Sequence, residues 1–161
     1  DSYTRREVLM RVVIQRVNSA RVEVDNKIIG SIGKGMLIFL GVGALDSCEL
    51  ADKYLDKILK LRIYADENGK TNLSLQDVGG DLLVISQFTL YADCRRGNRP
   101  DFLSAAPAGM AREIYEHFLN SVKARLGRVQ AGEFGADMKV TLENDGPFTI
   151  ILDENLFASE K

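Results

Sequence analysis

The chain has 161 residues, a length suited to one domain with a single core. Hydrophobic residues make up 45% and charged ones 27%, as in an ordinary soluble protein, and the net charge of −2 excludes a uniformly basic nucleic-acid coat but not a local basic patch. Two cysteines, Cys48 and Cys94, outside any C-x-x-C, and one histidine argue against a disulfide framework and a zinc cluster, so reduced thiols, a cytoplasmic location and no metal or cofactor are expected.

Residues 1–9 are polar, carry no signal-peptide core and read as an N-terminal extension or cloning remnant. A single domain is expected over residues 10–161. Residues 11–17 (RVVIQRV) and 21–24 (RVEV) read as strands interrupted at Asn18-Ser19. Asp25-Asn26 signals a hairpin turn, residues 28–32 return, and Gly33-Lys34-Gly35 predicts a second turn into the apolar strand 36–42. The first third is therefore expected to be a β-meander. Asp46 and Glu49 have capping-box spacing, and Leu45 and Leu50 that of a hydrophobic staple. Leu50, Tyr54, Ile58 and Leu61 then mark the apolar stripe of a first helix.

A short hairpin is expected around Asp66-Glu67-Asn68-Gly69, and Leu82, Leu83, Val84 and Ile85 form a continuous run typical of a strand covered on both faces. The spacing predicts a second helix over residues 105–126, with Pro107 in its first turn and Gly127 at its end. Residues 128–131 read as a short strand. Residues 138–142 and 148–152 alternate around Asn144-Asp145-Gly146-Pro147, and a polar tail from Asp153 is expected to fray. No apolar run approaches the roughly 20 residues that cross a bilayer. The fold class is α+β, with a curved, mostly antiparallel, barrel-like sheet and two main helices. Two helices cannot cover so many strands, so closure of the sheet or a second subunit is expected.

Chemistry-bearing residues are few. His117 falls about 120° from the centre of its helix's apolar stripe, which places it near the surface. Ser86 and Thr89 are potential nucleophiles without an adjacent base, and G-x-S-x-G, P-loop and G-x-G-x-x-G patterns are absent. Residues 82–90 (LLVISQFTL) read either as a central strand with satisfied polar groups or as a strand end that presents a reactive site. Arg95, Arg96 and Arg99, followed by Phe102, suit phosphate contacts and stacking, or a solvated charge cluster. Asp145-Gly146 signals a hairpin, but Pro147 removes a ladder donor. The alternatives are a trans-proline hairpin and a cis bond that presents two carbonyls.

Residues 86–90 (SQFTL) and 144–149 (NDGPFT) closely resemble the two motifs of the D-aminoacyl-tRNA deacylases. Residues 10–17 (MRVVIQRV) resemble that family's N-terminus, and residues 95–102 (RRGNRPDF) its basic loop, in collinear order. Phe148 departs from the pattern, which has valine there. The resemblance implies hydrolysis of the ester joining a D-amino acid to tRNA, with L-aminoacyl-tRNA rejected as translational proofreading. Glycyl-tRNA, including glycine mischarged on tRNA(Ala), is also expected to be cleaved. It implies a homodimer whose pocket is formed by Ser86, Gln87, Phe88 and Thr89 and entered by Gly146 and Pro147 of the partner subunit, joined by a cis bond. Arg16 is expected to anchor that loop, and Arg95, Arg96 and Arg99 to contact tRNA. The resemblance implies either that the Phe88 and Thr89 N–H groups form an oxyanion hole, with the 2′-hydroxyl of the terminal adenosine assisting water, or that the Thr89 hydroxyl is a nucleophile. A non-catalytic RNA-binding module and a hydrolase of another small ester are the competing readings.

Overall fold

The computed structural model describes residues 8–157. Residues 1–7 of the expected extension and 158–161 of the tail lie outside the described residues. Strands β1 (Arg11–Val24) and β2 (Lys27–Ile32) form an antiparallel hairpin. Asp25 and Asn26 turn it with φ of 50° and 64°, a left-handed pair that short polar side chains tolerate. The predicted interruption at Asn18-Ser19 is instead part of one continuous strand. Both residues are exposed, and the pairing of β1 with strand β8 (Lys139–Leu152) shifts register beside them, so the polar pair sits at a bulge.

The expected meander is also corrected. Strand β3 (Gly35–Gly41) pairs with β1, not with β2. Ala20 faces Ile32 and Val17 faces Gly35, so one antiparallel register runs through both strands. Gly33-Lys34 is a bend within one long arm, and no second hairpin turn forms there. Gly35 has a specific reason to lack a side chain: a Cβ there would overlap the Asp81 carbonyl of strand β6 (Asp81–Ser86). β6 runs parallel to β3 on one side and to β7 (Gln130–Ala131) on the other.

The sheet curls until β2 meets β7. Ser31 N–H donates to the Gln130 side chain at 3.2 Å, and a Cβ on Gly30 would lie 3.1 Å from the Ala131 carbonyl oxygen. The barrel is thus nearly closed, as expected, with parallel β3–β6 and β6–β7 pairs among the antiparallel ones. Met36, Ile38, Leu40, Leu82 and Val84 face the helices, whereas Leu37, Leu83 and Ile85 fill the barrel with Val17, Ala20 and Val22. The continuous apolar run of residues 82–85 is explained by this burial on two faces.

Helices α1 (Cys48–Lys60) and α2 (Ala108–Leu126) pack on one side of the sheet, burying Tyr54, Leu55, Ile58, Ile114, Phe118 and Val122. α2 starts three residues later than predicted, with Pro107 at its cap, and ends at Gly127 in the left-handed region (φ 84°). The short hairpin consists of β4 (Tyr64–Ala65) and β5 (Thr71–Leu73). The described end of the tail is ordered: residues 154–157 form a 3₁₀ turn and the Phe157 ring lies 5.5 Å from that of Tyr54.

The helix cap differs from the expected one. Ser47 caps α1, its hydroxyl accepting from Leu50 N–H at 3.1 Å. Asp46 instead turns inward, 6% exposed, and accepts from Gly43 N–H at 2.7 Å. Burial pushes its carboxyl up to about 6, against backbone hydrogen bonds from Gly43 and Met10 that pull it down. The folded state therefore favours protonated Asp46, and its contribution to stability is lost as pH rises through about 6. Asp46→Asn keeps an acceptor and removes the buried charge. Its Tm is expected to exceed that of the parent at pH 8 by a few degrees, roughly, with the gap closing by pH 4, as followed by thermal unfolding across pH.

Candidate active site

β6 delivers Ser86 to the end of the sheet, where Gln87 N–H still donates to Leu40 O at 2.8 Å. The chain then leaves the sheet. Phe88–Tyr91 is a 3₁₀ turn, a difference from the strand end expected at residues 86–90. Its first internal bond is Leu90 N–H to Gln87 O at 3.4 Å. The N–H groups of Phe88 and Thr89 precede that bond and make no hydrogen bond among the described residues. The polar Ser-Gln pair thus ends the strand, and the turn that follows leaves two adjacent donors free.

Ser86, Gln87, Phe88 and Thr89 line one cavity of about 740 Å³. Phe39, Phe102, Phe134, Met138 and the alanines 105, 106, 108 and 111 supply much of the remaining wall. Small side chains at the start of α2 leave room, and aromatic ones offer flat apolar surface, as in a site for a ring-bearing ligand. Among the described residues no histidine, glutamate or lysine lines the cavity beside Ser86 or Thr89. The titratable residue in the lining is Asp137, whose side chain is 90% exposed and 3.3 Å from the Lys139 ammonium.

His117 does not join the site. Its Nε2 lies 2.8 Å from Asp52 Oδ1 on α1, and the Ser121 hydroxyl donates to the same carboxylate oxygen at 3.3 Å. In a catalytic triad serine and aspartate occupy opposite ring nitrogens. Here both meet Nε2, and the cluster ties α1 to α2.

The basic loop abuts the cavity. Asp93 and Asp101 close it by reciprocal backbone bonds of 2.8 and 3.1 Å. The Phe102 ring at its base packs edge-on to Phe88, centroids 5.1 Å apart. Arg95 is held by Asp93 through two side-chain bonds of 2.9 and 2.7 Å, and this guanidinium pulls the Asp93 carboxyl down to about 2. Arg96 and Arg99 are exposed, as is Cys94. Cys48 is half-buried, and both thiols are free.

Residues 145–148 bulge from the middle of β8, with no hairpin there. Thr149 pairs with Gln15 and Asn144 with Val17, so both halves of β8 lie along the same strand and the chain does not reverse. The Gly146–Pro147 peptide is cis, and both residues are exposed. Arg16 sits beneath them. Its Nε donates to Asp145 O at 3.0 Å, its Nη1 donates to Ile63 O at 2.7 Å, and its guanidinium stacks 4.4 Å from the Phe148 ring centroid. The position that departs from valine therefore gains a cation–π contact.

Two residues left without a role by the sequence complete this loop. Asn144 Oδ1 accepts from Phe148 N–H at 2.7 Å and its Nδ2 donates to Phe148 O at 3.1 Å. Gln15 Oε1 accepts from Asn144 Nδ2 and, at 2.8 Å, from Thr149 Oγ1. The available signal was the asparagine at the head of NDGPFT and the glutamine next to Arg16. None of residues 144–149 lines the cavity of its own chain. The basic loop and residues 86–89 are brought together, while the Gly146-Pro147 loop stands apart.

Residues 13–153 match the family model described as D-Tyr-tRNA(Tyr) deacylase. The chain is 54% identical over 144 residues to the D-aminoacyl-tRNA deacylase of Lactobacillus acidophilus, covering 89% of this chain and 99% of that protein. It is 54% identical over 149 residues to that of Clostridium kluyveri, covering 92% and 100%. A solved structure called c-Myc DNA Unwinding Element Binding Protein superposes with a TM-score of 0.83 at 39% identity, over 88% of this chain and 97% of that one. A second, a probable eukaryotic D-amino acid tRNA deacylase, shares the fold with a TM-score of 0.80 at 19% identity, over 89% and 98%.

Replacing Arg16 by alanine leaves the Asp145 and Ile63 carbonyls without their charged donor. The expected cost is about 1–3 kcal/mol in urea unfolding. Faster amide exchange should be concentrated in residues 144–149, as read by hydrogen-exchange mass spectrometry.

Proposed function

Since the chain belongs to the D-Tyr-tRNA(Tyr) deacylase family, we propose that it hydrolyses the ester bond between a D-amino acid and tRNA and spares L-aminoacyl-tRNA. The observation that carries this reading is the pair of free N–H groups at Phe88 and Thr89, on a turn that lines a cavity whose titratable lining residue, Asp137, is exposed and paired with Lys139. An aminoacyl ester is already activated. Its hydrolysis calls for a bound water and a stabilised oxyanion more than for a strong nucleophile. Two preorganised backbone donors supply that stabilisation, and such donors are worth roughly 2.7–4 kcal/mol each in a studied protease. In this reading the 2′-hydroxyl of the terminal adenosine assists the water.

Chirality is selected across a homodimer. Gly146 and Pro147 are exposed and held from below by Arg16, Asn144 and Phe148, yet lie outside the cavity of their own chain. A second copy completes the site by inserting this loop beside Ser86, Gln87, Phe88 and Thr89, where its carbonyls hold the substrate's α-amino group. An L side chain then meets the loop, while a D side chain points outward. Glycine has no side chain to exclude, so glycyl-tRNA, including glycine mischarged on tRNA(Ala), is also cleaved. Arg96 and Arg99, with Arg95 behind them, meet tRNA phosphates at the mouth of the cavity, and the reaction takes place in the cytoplasm without metal or cofactor.

The name of the DNA-element-binding relative favours one other reading, nucleic-acid binding without catalysis. Incubation with D-tyrosyl-tRNA and L-tyrosyl-tRNA separates the two. Loss of the D-ester at least about a hundredfold faster than the L-ester is expected, a discrimination of roughly 2.7 kcal/mol; equal loss of both, or of neither, overturns the proposal. Thr89→Ala is expected to retain turnover within about threefold, because its N–H and not its hydroxyl serves the oxyanion. Abolished turnover in a folded dimer, with a trapped acyl-enzyme in the parent, would replace the backbone route by a covalent one.

A further inference from the structure

The free donors at Phe88 and Thr89 are useful only if the turn that carries them is held still, and the turn is four residues long. Its N-terminal end is tied to the sheet by Gln87 N–H and to the basic loop by the Phe102 ring, and its C-terminal end has a support of its own. Arg11, the first residue of β1, is there. Its Nη1 donates to the Leu90 carbonyl at 2.7 Å, and its guanidinium lies 5.1 Å from the Tyr91 ring centroid. Tyr91 is buried and its hydroxyl donates towards Leu9 O at 2.8 Å and Gly41 O at 3.1 Å. Gly41 lets the turn settle on β3. A Cβ there would lie 3.0 Å from Tyr91 Cε2, 3.1 Å from Gln87 O and 3.2 Å from Leu90 Cβ.

We propose that Arg11 is a positioning residue for the reaction, which fixes the Phe88 and Thr89 N–H groups by clamping the C-terminal end of their turn through Leu90 and Tyr91. The inference rests on the oxyanion role given above to those two groups. A cation on the last carbonyls stabilises the turn and leaves its donors oriented for developing negative charge. Arg11 itself lines no part of the cavity, so it acts through the turn alone.

The test compares Arg11→Met and Arg11→Lys with the parent enzyme on D-tyrosyl-tRNA. Methionine keeps the apolar stem without a donor. Its kcat is expected to fall about 10- to 100-fold, the range over which small misplacements of catalytic groups act, with KM within about twofold and the D/L preference unchanged. Lysine restores the charge to the Leu90 carbonyl and should recover most of the lost kcat. Tyr91→Phe, which removes the two hydroxyl contacts, should reproduce the kcat loss more weakly if the folded variant is checked by circular dichroism. An Arg11→Met enzyme with parental kcat, or one whose loss lies wholly in KM or in the folded fraction, overturns the inference. If the parent itself fails to cleave the D-ester, the functional reading fails instead. The Leu90 and Ala92 amides, which donate to Gln87 O and Thr89 O across the turn, give an independent readout by hydrogen exchange: faster exchange is expected in Arg11→Met, and unchanged exchange contradicts the clamp.

Discussion

Strand β1 is paired along both edges, and the rest of the molecule is built on that double pairing. One edge carries β3 and β2 in a single register, and the other carries both halves of β8. A strand paired on both sides cannot move without breaking two ladders, so side chains projecting from it are held firmly. Arg11 projects from its start towards the 3₁₀ turn at Phe88–Tyr91. Gln15 and Arg16 project from its middle towards the bulge at residues 145–148. The two motifs that do not touch within one chain are therefore set by one rigid element.

The two regions solve different physical problems. The turn after β6 presents free donors, because a 3₁₀ turn cannot satisfy its first N–H groups internally. The bulge in β8 needs a fixed shape at an exposed position. Asn144 binds both backbone groups of Phe148, Gln15 binds Asn144 and Thr149, and Arg16 binds the Asp145 carbonyl while its flat face rests on Phe148. Side chains replace the ladder hydrogen bonds that the bulge gives up. An exposed loop anchored this heavily is suited to act on something outside its own chain.

One large apolar residue left at the surface belongs to the candidate active site. Phe88 is 59% exposed beside the cavity, and its ring is steadied by Phe102 at the root of the basic loop. Aromatic surface and arginines meet at one rim, which suits a ligand with both rings and phosphates. His117, the residue a side-chain mechanism would look for first, is used between the helices with Asp52 and Ser121.

Local signals determined much of this in advance. The Asp25-Asn26 turn, the two apolar helical stripes, the glycine that ends α2 and the doubly buried run of residues 82–85 are properties of neighbouring residues, and each could be read from them. The motifs at residues 86–90 and 144–149 were legible for the same reason, as short runs. What the sequence could not decide was how those runs pair. Gly33-Lys34-Gly35 looks like a hairpin turn, but the register of β1 carries straight through it. Asp145-Gly146 looks like another, but both flanks of it pair with β1. Asp46 has the spacing of a cap, but burial under Gly43 draws it inward and Ser47 takes the helix end. Turn chemistry and cap spacing act over four residues, whereas the choice of strand partner and of what is buried is made by contacts far apart in the chain. The tertiary structure alone decided them.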